Sequence, residues 1–183
     1  MKKSPKKEAI LNTAEDLFYQ HGFHAIGVKS ILDQAGVAPM TMYYHFKSKE
    51  ALISEILIRR EARYFQYLED EINKESGVHV YVDTLVNAHI NWMDLNGSNG
   101  CLFLRAMQEY EGINEEISTI VKEHKKTLLN KIEGDLQHIH APASLGKQIF
   151  IIIEGSTSMV QVLAIEDVRN TVKDLVGNLR VNE

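Results

Sequence analysis

The sequence predicts an all-α fold, and three observations predict it. Apolar residues recur at three- and four-residue spacing through nearly every segment. No run alternates apolar and polar residues as a half-buried strand would, and no hairpin signal is present. Only three prolines interrupt 183 residues, which leaves room for long helices.

Each element follows from its own signals. Ser4 followed by Pro5 reads as an N-cap and a first-turn proline. Ile10, Ala14, Leu17 and Phe18 then line one face until Gly22 ends the helix. A second, short helix carries Val28, Ile31, Leu32 and Ala35 on its apolar side and stops at Gly36. Pro39 opens a third, and Ser48 caps a fourth that runs through Leu52, Ile56, Tyr64 and Leu68 towards Ile72. A fifth spans about Val80 to Leu95 and ends at the loop signal from Gly97 to Gly100. A short helix from Cys101 to Tyr110 and a long one from Asn114 to Leu136 follow. After a loop at 138–144 come two last helices, at roughly 145–164 and 167–180. The first of this pair, with IFIII and VQVL, is apolar around much of its surface and needs burial on two sides. A second copy of the chain supplies that other side, and Gly155, Ser156 and Ser158 permit close approach. The expected dimer face comprises Ile149, Ile153, Met159, Val168, Val172, Leu175 and Leu179.

Composition narrows the function classes. No apolar run nears the ~18 residues of a membrane span. The basic start, MKKSPKKEAI, lacks the apolar core of a secretory signal, so the cytoplasm is the expected location and no membrane partner is expected. A single cysteine, Cys101, excludes an internal disulfide. No metal-ligand spacing, phosphate loop or nucleophile elbow is present, so no catalytic residue, metal or cofactor is expected. His138 and His140 read as solvated loop histidines. Residues 1–50 hold seven Lys against five Asp/Glu, whereas 51–183 hold thirteen Lys/Arg against twenty Asp/Glu. A basic head on an acidic body suits a protein that touches DNA at one end.

The stretch from Val28 to Leu52 carries the chemistry for that contact. Two short helices joined by a Gly turn read as a helix–turn–helix. Its second helix offers Pro39, Met40, Thr41, Tyr43, Tyr44 and His45, with Lys49 just beyond, as side chains able to reach phosphates and base edges. Two adjacent tyrosines cannot both face inward on one helix.

These residues resemble the TetR family of bacterial transcriptional regulators. The resemblance covers residues 8–54: AILNTAEDLFYQHGF, VKSILDQAGVAPMTMYYHF and KSKEAL. It implies a three-helix DNA-binding head at 1–50 and a ligand-binding, dimerising body at 51–183. It also implies a homodimer on a palindromic double-stranded operator, released by a small-molecule effector. On the family pattern Tyr43 and Lys49 fall at phosphate-contacting positions, and Thr41 and Tyr44 at positions near bases or backbone. Two departures stand out. Gly27 replaces a usual Thr or Ser, removing a hydroxyl that can hold phosphate, and Met40 replaces a frequent Gly, presenting an apolar probe suited to a thymine methyl. With no Arg or Asn on the recognition helix, readout is expected to lean on shape and methyl contacts.

In the body, His89, Trp92, Met93, Phe103, Met107 and Tyr110 are the candidate lining of a pocket for a hydrophobic or amphipathic effector. Glu109 and Glu154 are the candidate polar anchors. Cys101, at a helix start, raises an alternative in which the regulator senses electrophiles or oxidants.

Overall fold

The computed structural model describes residues 4–75, 77–97 and 99–179. Lys2, Lys3 and the end of the expected last helix at 180 lie outside them. Nine helices and no strand are present among the described residues: α1 (Pro5–His21), α2 (Val28–Ala35), α3 (Pro39–His45), α4 (Lys49–Glu71), α5 (Val78–Asn96), α6 (Leu102–Tyr110), α7 (Glu115–His138), α8 (Ser144–Met159) and α9 (Ile165–Gly177). None of these helices is long and apolar enough to cross a membrane.

Packing groups the chain into two compact units, Met1–Glu61 with Leu102–Lys122, and Ala62–Cys101 with Glu123–Glu183. This grouping differs from a division at residue 50. The start of α4 carries a buried apolar face of Leu52, Ile53, Ile56 and Leu57 and is counted with α1–α3.

In the first unit α1, α2 and α3 pack on one another. They bury Ile10, Ala14 and Phe18 from α1, Ile31 and Leu32 from α2, and Met42 from α3. A buried Arg60–Glu15 pair at 2.8 Å ties α4 to α1, with the guanidinium 4.9 Å above the Tyr19 ring. Removing either partner would take a charge-assisted hydrogen bond from a buried group.

In the second unit α5 packs on α8 and α9, which also pack on each other. Leu85, Ile90, Ile132, Ile149, Ile153, Val168 and Val172 belong to its core. A charged lattice joins α4, α5 and α7. Lys131 bridges Glu69 (2.7 Å) and Asp135 (3.0 Å), while Tyr81 donates to Asp135 (3.2 Å). The Lys131 and Lys74 hydrogen bonds hold the Glu69 carboxyl down at about 2.

Two sequence-level caps diverge. Ser48 accepts from the Ala51 N–H at 3.2 Å, as an N-cap should. Ser4 makes no cap bond, and its hydroxyl instead meets His45 Nε2 at 3.3 Å.

Candidate nucleic-acid interface

The turn between α2 and α3 is built on Gly36, which sits in the left-handed region (φ 65°, ψ 35°). The Val37 N–H returns to the Leu32 carbonyl at 3.1 Å, closing the Schellman motif that ends α2. Pro39 then starts α3 with no N–H to satisfy.

One face of α3 buries Met42, and the other is open. Met40 is 80% exposed, Tyr43 63% and Tyr44 83%. Met40 and Tyr44 stand one turn apart on the same side. Pro39 is exposed at the helix start, and Thr41 is half-buried. His45 is turned inward: Nε2 bonds Ser4, and its ring lies against Tyr44 and Phe46 at 4.9 and 6.2 Å. Lys47 and Lys29 are exposed.

Lys49 departs from its expected place. Its Nζ donates to the Phe23 carbonyl at 2.7 Å and lies 5.8 Å from the Phe18 ring centroid. Burial pulls its pKa below the usual lysine value, against the opposing Glu50 and Glu109 charges. The ammonium is therefore engaged inside the head, a role that spacing alone does not reveal.

The candidate effector residues separate. His89, Trp92 and Met93 lie on α5 in the second unit, whereas Phe103, Met107 and Tyr110 lie on α6 in the first. His89 is 7% exposed and hydrogen-bonded at both nitrogens, to Tyr64 Oη and Thr157 Oγ1, each at 2.8 Å. Trp92 packs on Tyr64 and Tyr67 at 5.5 and 5.6 Å. Met93, Phe103 and Tyr110 are buried, and Met107 is half-buried. Both acidic anchors already have partners. Glu154 pairs with Lys125 through both oxygens at 2.8 Å, and Glu109 accepts from the Phe23 and His24 N–H groups at 2.9 and 2.6 Å. A separate cleft of about 590 Å³ opens beside the end of α7, lined by Glu133, Leu136, Gln137, His140, Ala141 and Ala143. No group of three or more His, Cys, Asp or Glu side chains gathers as a metal site among the described residues.

The expected dimer face divides as well. Ile149, Ile153, Val168 and Val172 are buried in the chain's own core. Met159 and Leu175 are exposed, and Leu179 is half-buried. The apolar side chains left in solvent nearby include Ile151 (68%), Val162 and Leu163, which belong to the IFIII and VQVL runs but not to the expected face. A helix apolar around much of its surface does not reveal from spacing which stripe meets its own core.

Comparison with known proteins agrees with this architecture. Residues 10–56 match the family described as "Bacterial regulatory proteins, tetR family". The HTH-type transcriptional regulator UidR of Escherichia coli K12 is 30% identical over 125 residues, spanning 68% of this chain and 61% of that regulator. The crystal structure of SCO4454, a TetR-family regulator from Streptomyces coelicolor, superposes with a TM-score of 0.86 at 22% identity, covering 97% and 96% of the two chains. FadR of Bacillus subtilis in complex with stearoyl-CoA superposes at 0.74 with 23% identity, covering 93% and 97%. With the helix–turn–helix and the all-helical body, these likenesses assign the chain: it belongs to the tetR family of bacterial regulatory proteins.

Proposed function

We propose that this chain is a cytoplasmic, homodimeric transcriptional repressor that binds a palindromic operator through α3 and releases it when a small hydrophobic or amphipathic effector occupies the body. One observation carries the reading: α3 exposes Met40, Tyr43 and Tyr44 while its opposite face is anchored by Met42. Large apolar and aromatic side chains on a short helix after a Gly turn suit a major groove, where Met40 meets a thymine methyl and Tyr43 donates to phosphate. The exposed apolar side chains of Ile151, Met159, Val162, Leu163 and Leu175, on α8, α9 and the loop between them, suit burial against a second copy. Gly155 lies on α8 with open space beyond its α-carbon, which allows close helix approach. The stearoyl-CoA complex of B. subtilis FadR is a precedent for an amphipathic effector.

The test is selection of bound sequences from a random duplex library, followed by titration across salt. A palindrome is expected, with log affinity falling by about 0.9 per phosphate contacted for each tenfold rise in salt. No enrichment from a folded dimer would sink the reading.

Covalent sensing at Cys101 is a second reading, favoured by one contact. Lys125 Nζ lies 3.4 Å from Sγ while it holds Glu154. Addition of the thiolate to an electron-poor alkene would form a carbon–sulfur bond as the C=C π bond breaks, pass the thiol proton to the adjacent carbon and disturb that contact. Loss of operator binding on alkylation, abolished by Cys101→Ser, is its expected signature. Equal loss in both proteins would exclude it.

A further inference from the structure

We propose that Glu109 is a positioning residue for DNA recognition: with Lys49 it clasps the backbone at Phe23 and so sets the seat of the helix–turn–helix. This rests on the regulator reading above, and all its parts lie within the first unit.

The geometry is specific. Phe23 is fully buried and follows Gly22 in the turn that leads from α1 into α2. Its N–H donates to Glu109 Oε1 at 2.9 Å, and the next N–H, of His24, donates to Oε2 at 2.6 Å. Its carbonyl accepts from Lys49 Nζ at 2.7 Å. The two successive peptides that flank the Phe23 α-carbon are therefore gripped by a carboxylate from α6 and an ammonium from the start of α4. All three are charge-assisted hydrogen bonds, the stronger kind. Arg105, one turn before Glu109, extends the grip by donating to the Phe18 and Tyr19 carbonyls at 3.3 and 2.7 Å. Those are carbonyls of the last turn of α1, and that of Phe18 also accepts the Gly22 N–H at 2.9 Å.

Packing makes the grip consequential for α3. The Phe23 ring meets Phe18 at 5.0 Å and Tyr110 at 6.0 Å, and α1 packs on both α2 and α3. Moving Phe23 shifts the entry to α2, and α2 reaches α3 through a tight Gly36 turn. Gly22 shows how closely the carboxylate approaches, since a Cβ there would lie 2.9 Å from Oε1. The chain passes between the two units at 61–62, 101–102 and 122–123, within α4, directly before α6 and within α7. The two helices that grip Phe23 thus both lie at such crossings. An effector that moves either of them acts on this backbone.

Glu109→Gln in the full-length protein gives a test with opposite signs. It removes a negative charge from the DNA-binding unit, so electrostatics alone would tighten binding. The clasp predicts the reverse, because the amide offers one acceptor oxygen and turns a donor towards a backbone N–H. Affinity for the selected duplex is expected to fall roughly 10-fold with an unchanged salt slope. Amide exchange at Phe23, His24 and α3 is expected to rise in the free protein. Lys49→Met is expected to weaken binding without flattening the slope, whereas a phosphate-contacting lysine would flatten it by about 0.9. Unchanged or tighter binding by Glu109→Gln, or unchanged exchange in α3, would overturn the proposal. Should that variant fail to fold, Glu109→Asp keeps the charge, loses reach and is read in the same way. If the wild-type protein selects no duplex, the regulator reading fails, and the exchange measurement still decides the clasp.

Discussion

The tyrosines of the recognition helix and those of the body's core live in opposite circumstances. Tyr43 and Tyr44 stand in solvent, while Tyr64 and Tyr81 are 5% and 0% exposed. Tyr64 is enclosed by the rings of Phe65, His89, Trp92 and His124. Its polar end is satisfied as fully as its ring. Thr157 donates to the Ile153 carbonyl at 3.0 Å and so accepts from His89 Nε2, which leaves Nδ1 to accept from the Tyr64 hydroxyl. The body completes its aromatic residues internally, and the recognition helix does not. The difference teaches where a partner belongs: ring surface held out by a well-anchored backbone is complemented by another molecule.

The largest expected effect breaks the comparison if it fails. Tyr64→Ala should cost about 3–5 kcal/mol of stability in urea unfolding, the usual loss for a buried ring. Tyr44→Ala should stay within about 0.5 kcal/mol of wild type, as an exposed change does. It should nevertheless weaken duplex binding roughly 10- to 100-fold, the worth of one or two good groove contacts. Equal destabilisation by the two changes would show that Tyr44 is a core residue after all.

A second contrast lies within α8. Ile153 is 1% exposed and Ile151 is 68% exposed, two positions apart on a helix that is apolar around much of its surface. Ile151→Glu should raise the dimer dissociation constant by about 100-fold or more in sedimentation, with helix content unchanged, because it buries an unpaired charge at the proposed interface. A variant that stays dimeric at all concentrations would move the interface elsewhere.

These contrasts also mark what the sequence made legible. Gly22, Gly36, Pro39 and Ser48 announced the head's helices almost to the residue, because turn chemistry is local. Two adjacent tyrosines on one helix required at least one to be exposed, and both Tyr43 and Tyr44 are. Period reads Ile149, Ile153, Val168 and Val172 as a dimer face, and they lie in the chain's own core, since period does not distinguish that core from a partner's. Lys49 and Glu109 were legible as charges but not as partners, because they meet at Phe23 from positions 26 and 86 residues away. Arg105 carried no signal at all, and only the tertiary fold brings it to the carbonyls of Phe18 and Tyr19.

The body's polar chain makes a prediction about pH. Burial first, then the Lys125 charge, holds the His89 imidazole neutral, its pKa lowered to about 3. Unfolded, the same group titrates near 6.5, so the unfolded state binds the extra proton between these values. Stability is therefore lost as pH falls below about 6.5, by up to about 1.4 kcal/mol per unit from this group. Comparing wild type with His89→Gln in urea unfolding at pH 7 and pH 5 isolates the contribution. An equal acid sensitivity in both would assign it to other groups.

The smallest expected effect concerns two glycines that bracket the α1–α2 turn. Gly22 has φ +90° and a carboxylate oxygen 2.9 Å from any added Cβ, so Gly22→Ala is strained twice and should cost about 1 kcal/mol or more. Gly27 has an ordinary extended conformation (φ −85°, ψ 155°), open space around it, and the N-cap position of α2 without a cap bond. Gly27→Ser should therefore gain a few tenths of a kcal/mol through a hydroxyl that accepts from the first turn of α2. The same hydroxyl adds a phosphate donor at the start of α2, so duplex affinity should rise about threefold irrespective of base sequence. A gain confined to stability would mean that the start of α2 lies away from the DNA backbone, leaving recognition to the exposed face of α3.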